Sequence, residues 1–188
     1  RRVVDSAEET EADRNAAEKM KHLYSEIERC NIDRIQNEPG FRHGLNVFFT
    51  RLLFCYFAED TGIFKSEEFK NNLFSHYLKL QTEADGTGVD EFLNKLFVAL
   101  DTPDAKKDEL GYPYDQFPYV NGTVFDCERH DFTVPKFNAN ERRLLLELSK
   151  SDWTNINPDI FGTIFQGIVD PDKRSENCMD YTSVPKIK

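Results

Sequence analysis

LNVFFTRLLFCYFAEDTGIF, residues 45–64, decides the fold of this chain. Leu45, Phe48, Phe49, Leu52, Leu53, Tyr56 and Phe57 fall at i, i+3, i+4, i+7, i+8, i+11 and i+12, the spacing of one helical face. Val47, Phe54 and Cys55 extend the apolar surface to the other side. A helix apolar nearly all round must be enclosed by neighbours. This segment therefore predicts the hub of a helical domain. Asn46, Thr50 and Arg51 interrupt it, and it is too short to cross a bilayer. Its end breaks a local rule. Glu59 and Asp60 put negative charge at a helix C-terminus, where the macrodipole disfavours it, before Gly62 offers a left-handed cap. Such a violation predicts a tertiary partner or a special turn.

The flanking sequence supplies the neighbours. Glu9 to Arg29 reads as a helix with Ala16, Met20, Leu23 and Ile27 as its buried stripe. A polar break over Asn31 to Gly40 leads to the hub. Ser66 caps a predicted helix through Leu80, with Phe69, Leu73, Tyr77 and Leu80 inward. Thr82 to Gly88 reads as a loop, and Val89, Phe92, Leu93, Leu96, Phe97 and Leu100 define another helix. Asp101 to Tyr114 is polar and Pro-broken, hence a surface excursion. PYVNGTVFD, residues 118–126, carries the Asn-Gly signal of a hairpin. Asn138-x-x-Glu141 is a capping box opening a helix with Leu144, Leu145 and Leu148. Trp153 is expected to anchor neighbouring helices. Asn157-Pro158 begins a last helix with Ile160, Phe161, Ile164, Phe165 and Ile168 apolar, and with Gly162 and Gly167 allowing close approach. The expected fold is mainly α, a multi-helix bundle with one small β-hairpin. It occupies residues 1–170, followed by a linker and the truncated start of another domain in residues 171–188.

The composition bounds the function. The chain has 188 residues, and its 16 Phe and 13% aromatic content predict a packed core despite 31% charged residues. A net charge of −10 speaks against an autonomous nucleic-acid wrap or an anionic membrane surface as partner. Cys30, Cys55, Cys127 and Cys178 lie far apart, and reduced thiols in a cytoplasmic protein are the expectation.

Chemical motifs are sparse. Gly86-Thr87-Gly88 is a lone GxG in a polar turn, not a phosphate loop. Cys127-x-x-His130 is half a zinc site without a second pair. Asp60, Glu68 and Lys70 imitate the acid and ExK elements of Mg²⁺ nucleases. On a helix start, however, Glu68 and Lys70 project about 200° apart and do not converge on one metal-bound water. The basic pairs Arg1-Arg2, Lys106-Lys107, Arg142-Arg143 and Lys173-Arg174 read as solvated surface. Residues Asp180 to Ile187 end on a Thr-Ser-Val-Pro helix start that stops almost at once, the expectation being a truncated chain.

Four segments in this order, RLLFCYFAEDTGIF (51–64), FPYVNGTVFD (117–126), SDWTNINPDIFGTIFQGIVDP (151–171) and MDYTSVPKI (179–187), resemble one family. It is the helical spacer region, with the start of the methyltransferase domain, of MmeI-like type II restriction–modification enzymes and related DNA methyltransferases. The resemblance implies a non-catalytic connector between an upstream Mg²⁺ nuclease and a downstream adenine-N6 DNA methyltransferase. DNA would be the partner through the parent enzyme, and S-adenosylmethionine and Mg²⁺ would be its cofactors, none held by this piece alone. It also implies that Tyr181, Thr182 and Ser183 contact the methionine end of S-adenosylmethionine. A hydroxyl at a helix N-cap beside free backbone N–H groups makes a small carboxylate nest, consistent with that role. The alternative is a free-standing helical protein-interaction module. A third reading is an enzyme built on Asp60, Glu68 and Lys70.

Overall fold

The hub helix is enclosed on most of its circumference. In the computed structural model, which describes residues 6–64, 66–69, 72–120, 122–128 and 132–156, helix α1 spans Ser6–Cys30, α2 Ile32–Asn37 and α3 Phe41–Asp60. Helix α4 follows at Leu73–Leu80, α5 at Val89–Leu100 and α6 at Ala139–Leu148, with 3₁₀ segments at Asp104–Glu109 and Tyr114–Gln116. Helix α3 buries Leu45, Phe48, Phe49, Leu52, Leu53, Cys55 and Tyr56 together with Arg51 and Glu59. No helix among the described residues is long and apolar enough to cross a membrane.

The predicted stripes form the core. Ala16, Met20, Leu23 and Ile27 of α1 are fully buried. So are Val89, Leu93, Leu96 and Leu100 of α5, with Phe92 and Phe97 nearly so, and Leu144, Leu145 and Leu148 of α6 join the same cluster. Aromatic rings fill the gaps between helices. Phe48 meets Phe49 edge-on at 5.4 Å and reaches Phe97, Phe132 and Phe137 at 6.0–6.3 Å between ring centres. Such contacts add about 0.5–1.5 kcal/mol per pair beyond the area they bury. The Asn138–Glu141 capping box is formed reciprocally, with both hydrogen bonds present.

The sequence-based picture needs four corrections. First, no strand occurs among the described residues, and the expected hairpin at 118–126 is absent. Its backbone groups are used elsewhere. The Val120 N–H donates to Leu100 O at the end of α5 (2.8 Å), and Val124 O accepts from Arg51 Nε (2.8 Å). Second, the helix expected from Ser66 begins at Leu73. Ser66 Oγ accepts from the Phe69 N–H at 2.8 Å as a cap would, but the helix does not propagate among residues 66–69. The Phe69 ring instead stacks on His76 at 4.1 Å. Third, Leu80 and Phe57, both expected inward, are 60% and 37% exposed. Fourth, the polar break over 31–40 contains α2, a short helix with no buried residue. The last expected helix, Cys178 and the predicted boundary at 170/171 lie outside the described residues.

Gly44 shows how tightly the hub is packed. A Cβ there would overlap the Phe132 ring, lying 2.8 Å from Cγ and nearer still to Cδ2. Phe132 is itself wedged against Phe41 and Phe48. In an open helix interior, Ala would be favoured over Gly by about 1 kcal/mol. Here displacement of the ring outweighs that gain, and Gly44→Ala is expected to destabilise the chain by about 1–2 kcal/mol in urea denaturation. A stabilised variant would show that Phe132 gives way freely.

Candidate functional site

The end of α3 gathers the ionisable groups that the sequence singled out. Glu59 is 1% exposed and accepts from both the Ser75 N–H (2.8 Å) and Ser75 Oγ (2.6 Å). Burial raises its carboxyl to about 7, against the pull of those two donors. Asp60 accepts from the Trp153 N–H at 2.8 Å, and burial raises its carboxyl as well. Trp153 stacks on Tyr56 at 5.4 Å with ring planes 12° apart, and its indole N–H donates to Leu148 O (2.9 Å). The Tyr56 hydroxyl in turn donates to Leu145 O at 2.8 Å. Gly62 takes the expected left-handed conformation at φ 76°. The two acids that break the dipole rule are thus acceptors for α4 and for the segment after α6. The tertiary partners anticipated from the sequence are present.

The nuclease-like acids do not converge. Asp60 is committed to the Trp153 backbone, Glu68 is exposed, and Lys70 lies outside the described residues. Among the described residues, no group of three His, Cys, Asp or Glu side chains could hold a metal ion. Cys30, Cys55 and Cys127 are free thiols, and His130 lies outside the described residues. Gly86 and Gly88 both have positive φ, and a Cβ on Gly86 would overlap the Phe137–Asn138 backbone, so the GxG turn is a close-packing device. Tyr181, Thr182 and Ser183 also lie outside the described residues.

Sequence reasoning missed three cations. Arg51 is 3% exposed inside the hub and donates to Val124 O, with its guanidinium 5.2 Å from the Phe97 ring centre and 5.7 Å from Phe125. Burial lowers its pKa, while the charges of Cys127 and Asp101 oppose that shift. Its interruption of an apolar run was the available signal. Lys107, read as surface, is 7% exposed and donates to Ala99 O at the end of α5. Arg142 donates to Thr82 Oγ1 (2.9 Å), Lys79 O (3.2 Å) and Thr82 O (3.3 Å), so it closes the C-terminal end of α4. Only Arg143 of that pair stays on the surface, bonded to Glu147 and Asn140 at 2.6 Å each.

The arrangement is one of locks between elements, with no open reacting centre among the described residues. A family model described as the MmeI helicase spacer domain matches residues 43–125, the hub helix through the segment that receives Arg51. A solved structure of the Type IIL restriction-modification enzyme MmeI in complex with DNA is similar at 35% identity and a TM-score of 0.64, over 85% of this chain. Over residues 43–125 the chain carries an MmeI-like helical spacer. DNA methyltransferase A of Bacillus subtilis (strain 168) is 38% identical over 185 residues, 98% of this chain. The chain spans about a fifth (19%) of the length of each of these two relatives. The matched residues include both ends of the Glu59–Ser75 and Arg51–Val124 contacts, while the Trp153 partner of Asp60 lies beyond them.

Glu59 gives a pH signature. Its folded pKa is raised above the unfolded value of 4.5 to about 7, so it favours the folded state at low pH. That contribution is lost as pH rises from the unfolded value through about 7. Glu59→Gln is therefore expected to flatten the fall in stability between about pH 5 and pH 8, by on the order of 3 kcal/mol at most. Urea midpoints measured across that range check it, and an unchanged slope would place the titration elsewhere.

Proposed function

We propose that this chain is the non-catalytic helical connector of a DNA restriction–modification enzyme, setting the distance and orientation between a nuclease and an adenine-N6 DNA methyltransferase. The observation that carries the reading is the match of nearly the whole chain to a fifth of a DNA methyltransferase, combined with an interior given over to locks between helices. A connector must resist bending. Enclosure of α3 and the ring contacts at Phe48 and Tyr56 supply that stiffness. Mg²⁺ and S-adenosylmethionine would serve the parent enzyme. Tyr181, Thr182 and Ser183 would contribute to the cofactor site only together with the sheet of the methyltransferase fold. DNA would be reached through the parent enzyme, in the cytoplasm.

Two experiments test the reading. The purified 188-residue chain is expected to show no heat of binding with S-adenosylmethionine and neither to methylate nor to cleave DNA. Turnover by this chain would overturn the connector. In the full-length enzyme, Asp60→Ala removes the acceptor for the Trp153 N–H and is expected to scatter the distance between recognition and cleavage sites. Cofactor affinity should stay within about twofold, since the lock touches no cofactor group. An unaltered cleavage distance would argue for the alternative, a helical interaction module.

A further inference from the structure

The joint between α3 and α4 closes on a buried carboxyl. Glu59 reaches from the end of α3 to α4, where the Ser75 N–H and Oγ both donate to its Oε1. The packing around it is apolar and aromatic. Tyr56 meets Phe74 edge-on at 5.5 Å, and Leu73, Phe74 and Leu78 are fully buried.

The charged and titratable groups at the joint offer Glu59 no counter-ion. On α3, burial pushes the Cys55 thiol and the Tyr56 phenol well up, so both stay neutral, and Asp60 adds like charge. On α4, His76 stacks on Phe69, the Tyr77 hydroxyl meets that of Tyr112, and Lys79 is exposed. After α6, the charge of Asp152 bears on Asp60 in the same unfavourable sense. A buried carboxyl so placed either holds its proton or admits water to its charge. Of the two elements that meet there, α4 is the one able to yield. It has 8 residues and no side-chain cap bond at Asn72, whereas α3 has 20 residues and is enclosed.

We propose that Glu59 makes the α3–α4 joint a proton-operated latch, closed while Glu59 is protonated and loosened at α4 when it ionises. Its carboxyl, raised to about 7, sets the change around neutral pH. Stability lost as the pH rises would thus appear first as a local opening. The latch lies within this chain and does not rest on the connector reading.

Hydrogen exchange read by mass spectrometry on the 188-residue chain, corrected for the intrinsic pH dependence of exchange, tests the latch. Between about pH 6 and pH 8, protection of peptides covering Leu73–Leu80 should fall about tenfold. Peptides from α1 and α6 should hold theirs within about twofold. Glu59→Gln keeps an acceptor oxygen and removes the charge, so it should abolish the fall. Ser75→Ala deletes a hydroxyl that favours the ionised form, so it should move the fall to higher pH. A fall that persists in Glu59→Gln, or one that spreads equally over α1 and α6, would overturn the latch. Where Glu59→Gln fails to fold, a fall unmoved by Ser75→Ala overturns it instead.

Discussion

The structure depends on where the two carboxylates at the end of α3 find their donors. A helix that is apolar almost all round has few polar positions with which to specify its neighbours, because hydrophobic contact is non-directional. Glu59 and Asp60 supply direction. One accepts from α4 through Ser75, and the other accepts from the backbone of Trp153 after α6. Both sit where the helix dipole disfavours negative charge, and burial raises both carboxyls further. The position is tenable because one oxygen of each carboxyl meets donors: Glu59 Oε1 takes both Ser75 groups, and Asp60 Oδ2 takes the Trp153 N–H. Removing such a partner leaves a buried polar group unsatisfied, which costs more than the bond itself contributes.

Cations do the complementary work at the other helix ends. The last carbonyls of a helix have no partner within it. Arg142 reaches across from α6 to Lys79 O in the last turn of α4 and to Thr82 O just beyond it, and Lys107 folds back onto Ala99 O at the end of α5. Arg51 acts in the middle of the hub, where its Nε–H holds Val124 O and its guanidinium lies over Phe97 and Phe125. Among the described residues its Nη2 makes no hydrogen bond, so part of a buried cation is left unsatisfied at a cost. Arg suits such a site better than Lys, since its flat, weakly hydrated group can stack on rings while donating. The Arg142 and Arg51 contacts join segments 60 and 73 residues apart in sequence.

The helices were legible because periodicity reports burial directly. The stripes of α1, α3, α5 and α6 follow from spacing alone, and the Asn138–Glu141 box follows from two residues. The hairpin at 118–126 was not legible, since Asn-Gly encodes a turn but not a strand partner. Whether Val120 and Val124 pair with each other or with a helix depends on Leu100 and Arg51, which lie 20 and 73 residues away. The start of α4 failed for a related reason. Phe69 matches the i, i+4 series of Leu73 and Tyr77, yet it is held by stacking on His76 rather than by helical continuity. Lys107 and Arg142 were misread because paired basic residues are usually solvated. Their burial follows from helix ends whose positions no local pattern reveals.

The chain's likeness to nucleases is one of composition alone. Asp60, Glu68 and Lys70 match a catalytic composition, but catalysis needs convergence, and convergence is a property of elements rather than of spacing. Asp60 faces Trp153, while Glu68 remains at the surface before α4 begins. A carboxylate already bonded to a backbone N–H and drawn into the core is poorly placed to ligate Mg²⁺, which demands near-octahedral oxygen geometry with its own waters. Asp60 is therefore committed to holding the fold. It holds Trp153, whose indole N–H is in turn bonded to Leu148 O.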